Sequence, residues 1–375
     1  MSSPLPAPKA SAIASKDHQG VQLFVPGRLC LFGEHSDWAA EFALHPGCCL
    51  VVGTDQGLHA VARVAEGFSV QTLVPDESGH STGRTRRMDC PWTTAALEHA
   101  ARDRDEFFRY CAGTAFQMHQ RPDVPGGLDL QITGMDLPLR KGVSSSAAVC
   151  MLVAKAFDAV HDLRLFPHEM MELAYLGEKM TGSQCGRMDQ ACIYGKTPVL
   201  LTFQKEAHVR VEPLFPQGWM YLFLVDLAGR KDTIRILQCL QEAYPKSQSL
   251  QAALGPANED ILRQAYQAVG RADAACLGSL MRQAQENFDR FLAPHCPGEL
   301  ESPLLHQVLA MDGLQPHVWG GKCVGSGGDG TAQFIARSAE DRTAAMEQIV
   351  RAFPRMRCFP LNIVPQGNRV EPSES

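Results

Sequence analysis

LPLRKGVSSSAAV, residues 137–149, decides how the rest of the chain is read. It follows Leu128-Asp-Leu-Gln-Ile132, whose apolar residues alternate as in a half-buried strand, and it leads into an apolar helical pattern from about Ser144 to Val160. The unit is therefore strand, loop, helix, with small hydroxylated residues where the helix begins. Unpaired N–H groups in a helix's first turn, together with the positive end of its dipole, suit an anion, and serine hydroxyls add donors or reach a cation. A serine N-cap explains an isolated Ser-Ser-Ser equally well.

Strand-like runs at Val21 to Val25, Cys48 to Val52 and Leu58 to Val64 precede this unit. Residues 76–91 read as a polar surface loop, and Thr93 to Phe116 has helical spacing. After it come a helix over Pro167 to Met180 and strands at Val199 to Phe203 and Tyr221 to Asp226. A largely helical stretch spans Thr233 to about Met311. The chain closes with a strand (His317 to Val324), a glycine loop (Gly325 to Gly330), a strand (Thr331 to Ala336), a helix (Ala339 to Phe353) and a strand near Arg357 to Val364. This is an α+β chain without internal repeat, with a boundary near residues 200–215.

The bulk numbers fit that reading. The chain has 375 residues, 45% hydrophobic and 20% charged, enough for two domain-sized cores. A formal net charge of −6 with no long Lys/Arg run excludes a nucleic-acid binder and favours small ligands. Thirteen cysteines lie mostly in apolar stretches without a CxxC pair, so reduced core thiols in a cytoplasmic enzyme are expected, with no metal or redox role. Residues 1–20, rich in Ser, Ala and Pro, read as a disordered tail. No uncharged apolar run approaches the ~20 residues that span a bilayer.

Gly195-Lys196-Thr197 has the look of a Walker A ending, but the required first glycine falls on Gln190, and no protein-kinase catalytic loop is present. Any nucleotide is bound by another design. Three further segments point to it: VPGRLCLFGEHSDW at 25–38, GSQCGRMDQ at 182–190 and GGKCVGSGGDG at 320–330. With the serine loop, in this order, they resemble the motifs of the GHMP kinases, most closely the galactokinase and L-arabinokinase branch. The resemblance runs from about Val21 to the C-terminus, with a fainter echo at Cys296-Pro-Gly-Glu-Leu300.

That resemblance implies a two-lobed GHMP kinase fold: an N-terminal lobe over 21–205 related to ribosomal protein S5 domain 2, and a ferredoxin-like C-terminal lobe over 206–375. It implies an ATP- and magnesium-dependent kinase that phosphorylates a sugar, at its anomeric hydroxyl, to a sugar 1-phosphate. Asp189 would take or orient the hydroxyl proton beside Arg28, a pair whose cation also keeps the carboxylate ionised. Glu34, His35 and Asp37 would hold sugar hydroxyls, although His35 alone is equally a structural histidine. Arg140, Lys141, Gly142, Val143, Ser144, Ser145, Ser146 and Ala147 would form the ATP loop. Ser145 or Ser146 would join Glu178 around magnesium, which prefers oxygen ligands.

Several residues depart from the pattern. Trp38 stands where galactokinases carry Tyr, and PxGxG has become Pro138-Leu139-Arg140-Lys141-Gly142, as in plant glucuronokinases. Glu178 lies one residue closer to Gly182 than usual. Arg140 and Lys141 are phosphate contacts or solvated loop charges. Arg187 either meets a charged sugar such as a uronic acid or faces solvent. Gly325 to Gly330 packs under the site or is a tight turn. The rival readings are a GHMP kinase for a non-sugar alcohol and a catalytically silent sugar sensor, with GEHSD and CGRMDQ favouring the sugar and intact Ser146-Ala147-Ala148 and Asp189 favouring catalysis. The expected partners are sugar and ATP, with no nucleic acid or membrane, in a monomer or homodimer.

Overall fold

A computed structural model describes residues 20–75, 81–135, 145–203 and 209–365. Expectations for the tail at 1–19 and for Arg140, Lys141, Gly142, Val143 and Ser144 lie outside these residues. The first part of the chain runs β1 (Val21–Phe32), α1 (Ser36–Ala40), β2 (Gly47–Ala65), β3 (Phe68–Pro75), β4 (Ser81–Cys90), α2 (Thr94–Arg102), α3 (Arg109–His119), β5 (Gly127–Met135), α4 (Ser145–His161) and α5 (Pro167–Met180). A 3-10 turn (Asp189–Tyr194), β6 (Val199–Phe203) and β7 (Val209–Pro213) follow. The second part runs β8 (Met220–Asp226), α6 (Thr233–Ala243), α7 (Gln248–Leu254), α8 (Pro256–Arg271), α9 (Ala274–Phe291), α10 (Pro297–Leu300), α11 (Pro303–Leu309), β9 (Val318–Cys323), β10 (Thr331–Ala336), α12 (Ala339–Ala352) and β11 (Arg357–Ile363).

Among the described residues β1 to β7 form a seven-stranded sheet in the order β4-β3-β5-β2-β6-β7, with β1 against β2, and β8 to β11 form a four-stranded antiparallel sheet in the order β11-β8-β10-β9. Every pairing in the first sheet is antiparallel except β3 with β5. Helices α2 to α5 pack together with α4 on β1 and β2, while α9 lies on β9 and α12 on β8, β10 and β11. Side chains alternate between the faces of a strand. Met220, Leu222 and Leu224 of β8 therefore enter one core cluster, shared with the first sheet, while Phe223 and Val225 enter another with Trp38, Tyr244 and Phe334. Burial on both faces explains why β8 reads as a continuous apolar run.

The second half follows the sequence reading closely, and the first half differs from it in four places. The runs at 48–52 and 58–64 are one long strand, β2, whose central Gly53 is held by its N–H to the Gly195 carbonyl at 2.7 Å. Pro26-Gly27 does not end β1: the register shifts between Pro26 and Arg28, a bulge that tolerates proline and re-aims the next side chain. Residues 81–90 form β4, an edge strand whose exposed arginines hide the alternation that buries Met88 and Cys90. The helix expected over 93–116 breaks at 103–108, where Asp103 accepts from the Asp105 N–H (2.9 Å) and Glu106 from the Phe108 N–H (2.8 Å). Acidic side chains that bond nearby backbone compete with the helix ladder.

Candidate active site

Arg28 leaves the bulge of β1 in a fully buried position and donates from Nε to Asp189 Oδ1 at 2.8 Å, with Nη2 on the same oxygen. The partners are 161 residues apart, so the pair joins the PGR and CGRMDQ segments. Burial opposes the charge on Arg28, but Asp189 more than offsets it and holds the guanidinium above its ordinary range. The 3-10 turn that begins at Asp189 follows directly on Met188, whose N–H donates to Asp37 Oδ2 at 3.3 Å. Asp37 lies in α1 and is itself buried. Burial, then the nearby Asp189 charge, pushes its carboxyl up to about 6. Gly186 is required here, because a Cβ would stand 2.0 Å from Asp37 Oδ2.

The turn between β1 and α1 brings Glu34 and His35 into the same region. His35 adopts a left-handed backbone (φ 69°), an uncommon conformation for a residue with a Cβ and one that clusters at functional sites. Glu34 forms a buried ion pair with Lys322 of β9, whose Nζ also donates to the Cys323 carbonyl at 2.8 Å. Burial disfavours the Lys322 charge, and Glu34 restores it above its ordinary range. A second link between the sheets runs from Gln333 Nε2 to the Cys30 carbonyl at 2.8 Å.

Next to Asp189 lies a second set of oxygens. Ser146, in the first turn of α4, donates to Glu178 Oε1 at 2.7 Å, and Gln190 Nε2 donates to Oε2 at 3.2 Å. Glu178 is buried, and burial followed by the Asp189 charge raises its carboxyl to about 7. Gln190 Oε1 is buried without a hydrogen-bond partner among the described residues. A carboxylate with a raised proton affinity, a hydroxyl and an orphaned carbonyl oxygen are a donor set that a hard divalent cation fits. Ser145 starts α4 and Ala147 is buried one turn in.

Arg187 is braced against its neighbours and does not simply face solvent. Its Nε and Nη2 each donate to Glu172 at 3.1 Å, and its guanidinium lies 3.9 Å from the Tyr175 ring centroid. The Tyr175 hydroxyl donates to Glu41 at 3.2 Å, just past α1. Trp38 points its indole into the second core cluster against Tyr244. At the glycine loop, Lys231 Nζ donates to Ser326 Oγ at 3.1 Å, and Gly327 (φ 80°) leaves no room for a Cβ against Phe288. Lys322 and Gln190 were inside quoted motifs but carried no assigned role, and Lys231 lies in none of them.

Residues 107–196 match the GHMP kinases N terminal domain. Over 386 residues the chain is 23% identical to the galactokinase of Haemophilus influenzae (strain PittGG), covering 92% of this chain and 93% of that protein. Lactococcus lactis galactokinase, solved with galactose, has a TM-score of 0.66 at 16% identity over 94% of this chain and 95% of its own. Methanococcus jannaschii mevalonate kinase has a TM-score of 0.68 at 15% identity over 93% and 99%. The chain is similar to the GHMP kinases N terminal domain over residues 107–196 and has the GHMP kinase fold. Both the α+β class and the resemblance to this family and its galactokinase branch are borne out. Among the described residues no helix of this GHMP kinase fold is long and apolar enough to cross a membrane, and all thirteen cysteines are free of disulfides.

Proposed function

We propose that this protein is an ATP-dependent kinase of a neutral monosaccharide, acting at the anomeric hydroxyl to give a sugar 1-phosphate. The observation that carries the proposal is the buried Arg28 guanidinium on the half-buried Asp189, whose charge also acts on Asp37 and on Glu178 with its Ser146 and Gln190 partners. A sugar hydroxyl is a weak nucleophile at neutral pH, so a positioned carboxylate contributes roughly 10²–10⁴ in rate. Asp189, held by the Arg28 hydrogen bond, orients the hydroxyl and accepts its proton as the charge on oxygen develops, and the adjacent guanidinium stabilises that charge. The first turn of α4, with Ser146, faces the ATP phosphates through its unpaired N–H groups. Magnesium bound at Glu178 and Ser146 would supply charge compensation for the phosphates. The chain's own residues do the aligning, on which phosphoryl transfer chiefly depends. We read the site as the cleft between two lobes of a cytoplasmic enzyme.

The neutral acceptor follows from charge. Glu34, Asp37 and Asp189 supply three carboxylates, while among the described residues the buried cations beside them, Arg28 and Lys322, are paired to two of these. Arg187 is committed to Glu172. An acceptor carrying its own carboxylate would meet like charge in a partly desolvated site, where that is costly, whereas a polyol finds acceptors for its hydroxyls.

A coupled assay of ADP formation over galactose, arabinose, fucose, mannose, glucuronate, galacturonate and mevalonate tests this. Turnover is expected with a neutral sugar and not with the three acids, and Asp189→Asn should lower it by about 10²–10⁴. Turnover of an acid in preference to every neutral sugar, or sugar binding with no turnover at all, would overturn the proposal.

A further inference from the structure

Buried in the turn that follows β1 is a hydrogen bond whose direction is fixed by chemistry. Trp38 Nε1 lies 2.9 Å from His35 Nδ1, and both side chains are buried, at 3% and 4% exposure. An indole N–H donates and has no lone pair to offer. The imidazole nitrogen it meets must therefore carry the lone pair. Burial holds His35 near a pKa of about 4, and the Lys231 and Lys322 charges push in the same direction, so the ring is neutral at physiological pH. A neutral imidazole with a bare Nδ1 has its proton on Nε2. The ring is also held in place: it stands edge-on to Trp38 at 5.8 Å and tilted over Phe288 at 6.1 Å, on a backbone with positive φ. Its Nε2 is buried and has no partner within hydrogen-bonding geometry among the described residues, and against the burial the Ser326 backbone of the glycine loop raises the ring's proton affinity, as a nearby carbonyl acceptor does.

We propose that Trp38 is a positioning residue that locks His35 in the Nε2–H tautomer, so that the site offers a donor there and takes an accepting oxygen, a hydroxyl or ring oxygen of the substrate. The substrate half of this statement rests on the sugar-kinase reading, while the tautomer half does not. Tyrosine at position 38 has a hydroxyl that both donates and accepts, and would leave either tautomer possible. Tryptophan removes that choice, which gives a role to the departure from the galactokinase pattern.

The test is two-bond proton–nitrogen correlation NMR on the sugar-free protein labelled with ¹⁵N-histidine, with the His35 signals assigned by their loss in His35→Asn. The wild-type protein at pH 7 should show a protonated Nε2 and a bare Nδ1. Trp38→Phe, which keeps an aromatic ring but removes the donor, should move both signals toward the average of the two tautomers. Against the sugar that turns over best, Trp38→Phe should raise KM roughly three- to tenfold while kcat stays within about twofold, the size expected for one misdirected hydrogen bond. A proton on Nδ1 in the wild-type protein, or an imidazolium at pH 7, overturns the proposal without any variant. An unchanged tautomer in a folded Trp38→Phe protein overturns the role of Trp38. Unchanged KM with a shifted tautomer overturns the substrate contact alone. If no sugar is turned over, the sugar-kinase reading fails while the NMR result still decides the tautomer.

Discussion

Asp37 stands close enough to Asp189 to feel its charge, and the Arg28 guanidinium that lies near both donates its hydrogen bonds to Asp189. Asp37 carries the cost. Its folded-state pKa of about 6 lies above the unfolded value near 3.8, so between roughly pH 4 and 6 the folded protein holds a proton that the unfolded chain releases. Stability from this group therefore falls as pH rises through that window, and the full penalty is present at pH 7. Asp37→Asn should stabilise the protein at pH 7, on the order of 2 kcal/mol, with the gain closing as pH falls toward 4. His35 has the opposite sign: with a folded pKa of about 4, it makes stability fall as pH drops from about 6.5 to 4. Comparing Asp37→Asn with wild type at each pH cancels that contribution, since both proteins keep His35. Urea melts at pH 5, 6 and 7 would show the gap. A constant gap, or a less stable variant at pH 7, would contradict the assignment. The same variant should lose sugar turnover, the usual exchange of activity for stability at a strained site. Arg28, Glu34, Asp37 and Asp189 were legible because each lies in an ordered motif. Their partners were not: Lys322 is 288 residues from Glu34, and nothing local marks which carboxylate a buried lysine will meet.

Elements were read best where one physical rule dominated. The alternation of β5 and the doubly buried run of β8 left little choice, whereas β4 has arginines along a sheet edge and α2 and α3 are separated by acidic side chains that bond their own backbone. The CGRMDQ stretch shows the same limit on the scale of one turn. Its sequence suggests a catalytic carboxylate but not the packing that aims it, in which Arg187 is braced on Glu172 and Tyr175, and Tyr175 reaches Glu41 beyond α1. Gly186 is a tight point of this assembly, since an added methyl would stand 2.0 Å from Oδ2 of the buried Asp37. Gly186→Ala should displace Asp37 from the Met188 N–H, destabilise the fold by about 1–3 kcal/mol as overpacking does, and raise KM for the sugar tenfold or more. Steady-state kinetics with a thermal melt checks both effects. Wild-type KM in a folded variant would show that the turn is not what holds Asp37.

Across the whole molecule, the seven-stranded and four-stranded sheets are tied at the site by Lys322 to Glu34 and by Gln333 to the carbonyl of Cys30. Both ties join the buried β9–β10 edge to β1 and the turn after it, so the acceptor residues of the first sheet are held by the second. A buried ion pair adds little net stability over a well-packed apolar pair, but removing one partner leaves the other buried and uncompensated. Lys322→Met should therefore cost about 3–5 kcal/mol, more than its lost contacts would suggest. Glu34→Gln alone strands the lysine and should also destabilise. The double variant Glu34→Gln/Lys322→Met leaves neither partner charged and should recover most of that loss, giving a favourable interaction energy of at least 1 kcal/mol in a double-mutant cycle. If Glu34 holds the acceptor as proposed, turnover should not return with stability, because that carboxylate is gone. If the two single losses simply add, the pair is not coupled and the sheets are held together by the Gln333–Cys30 hydrogen bond and apolar packing. If turnover returns in the double variant, Glu34 serves only as the lysine's counter-charge and has no part in holding the acceptor.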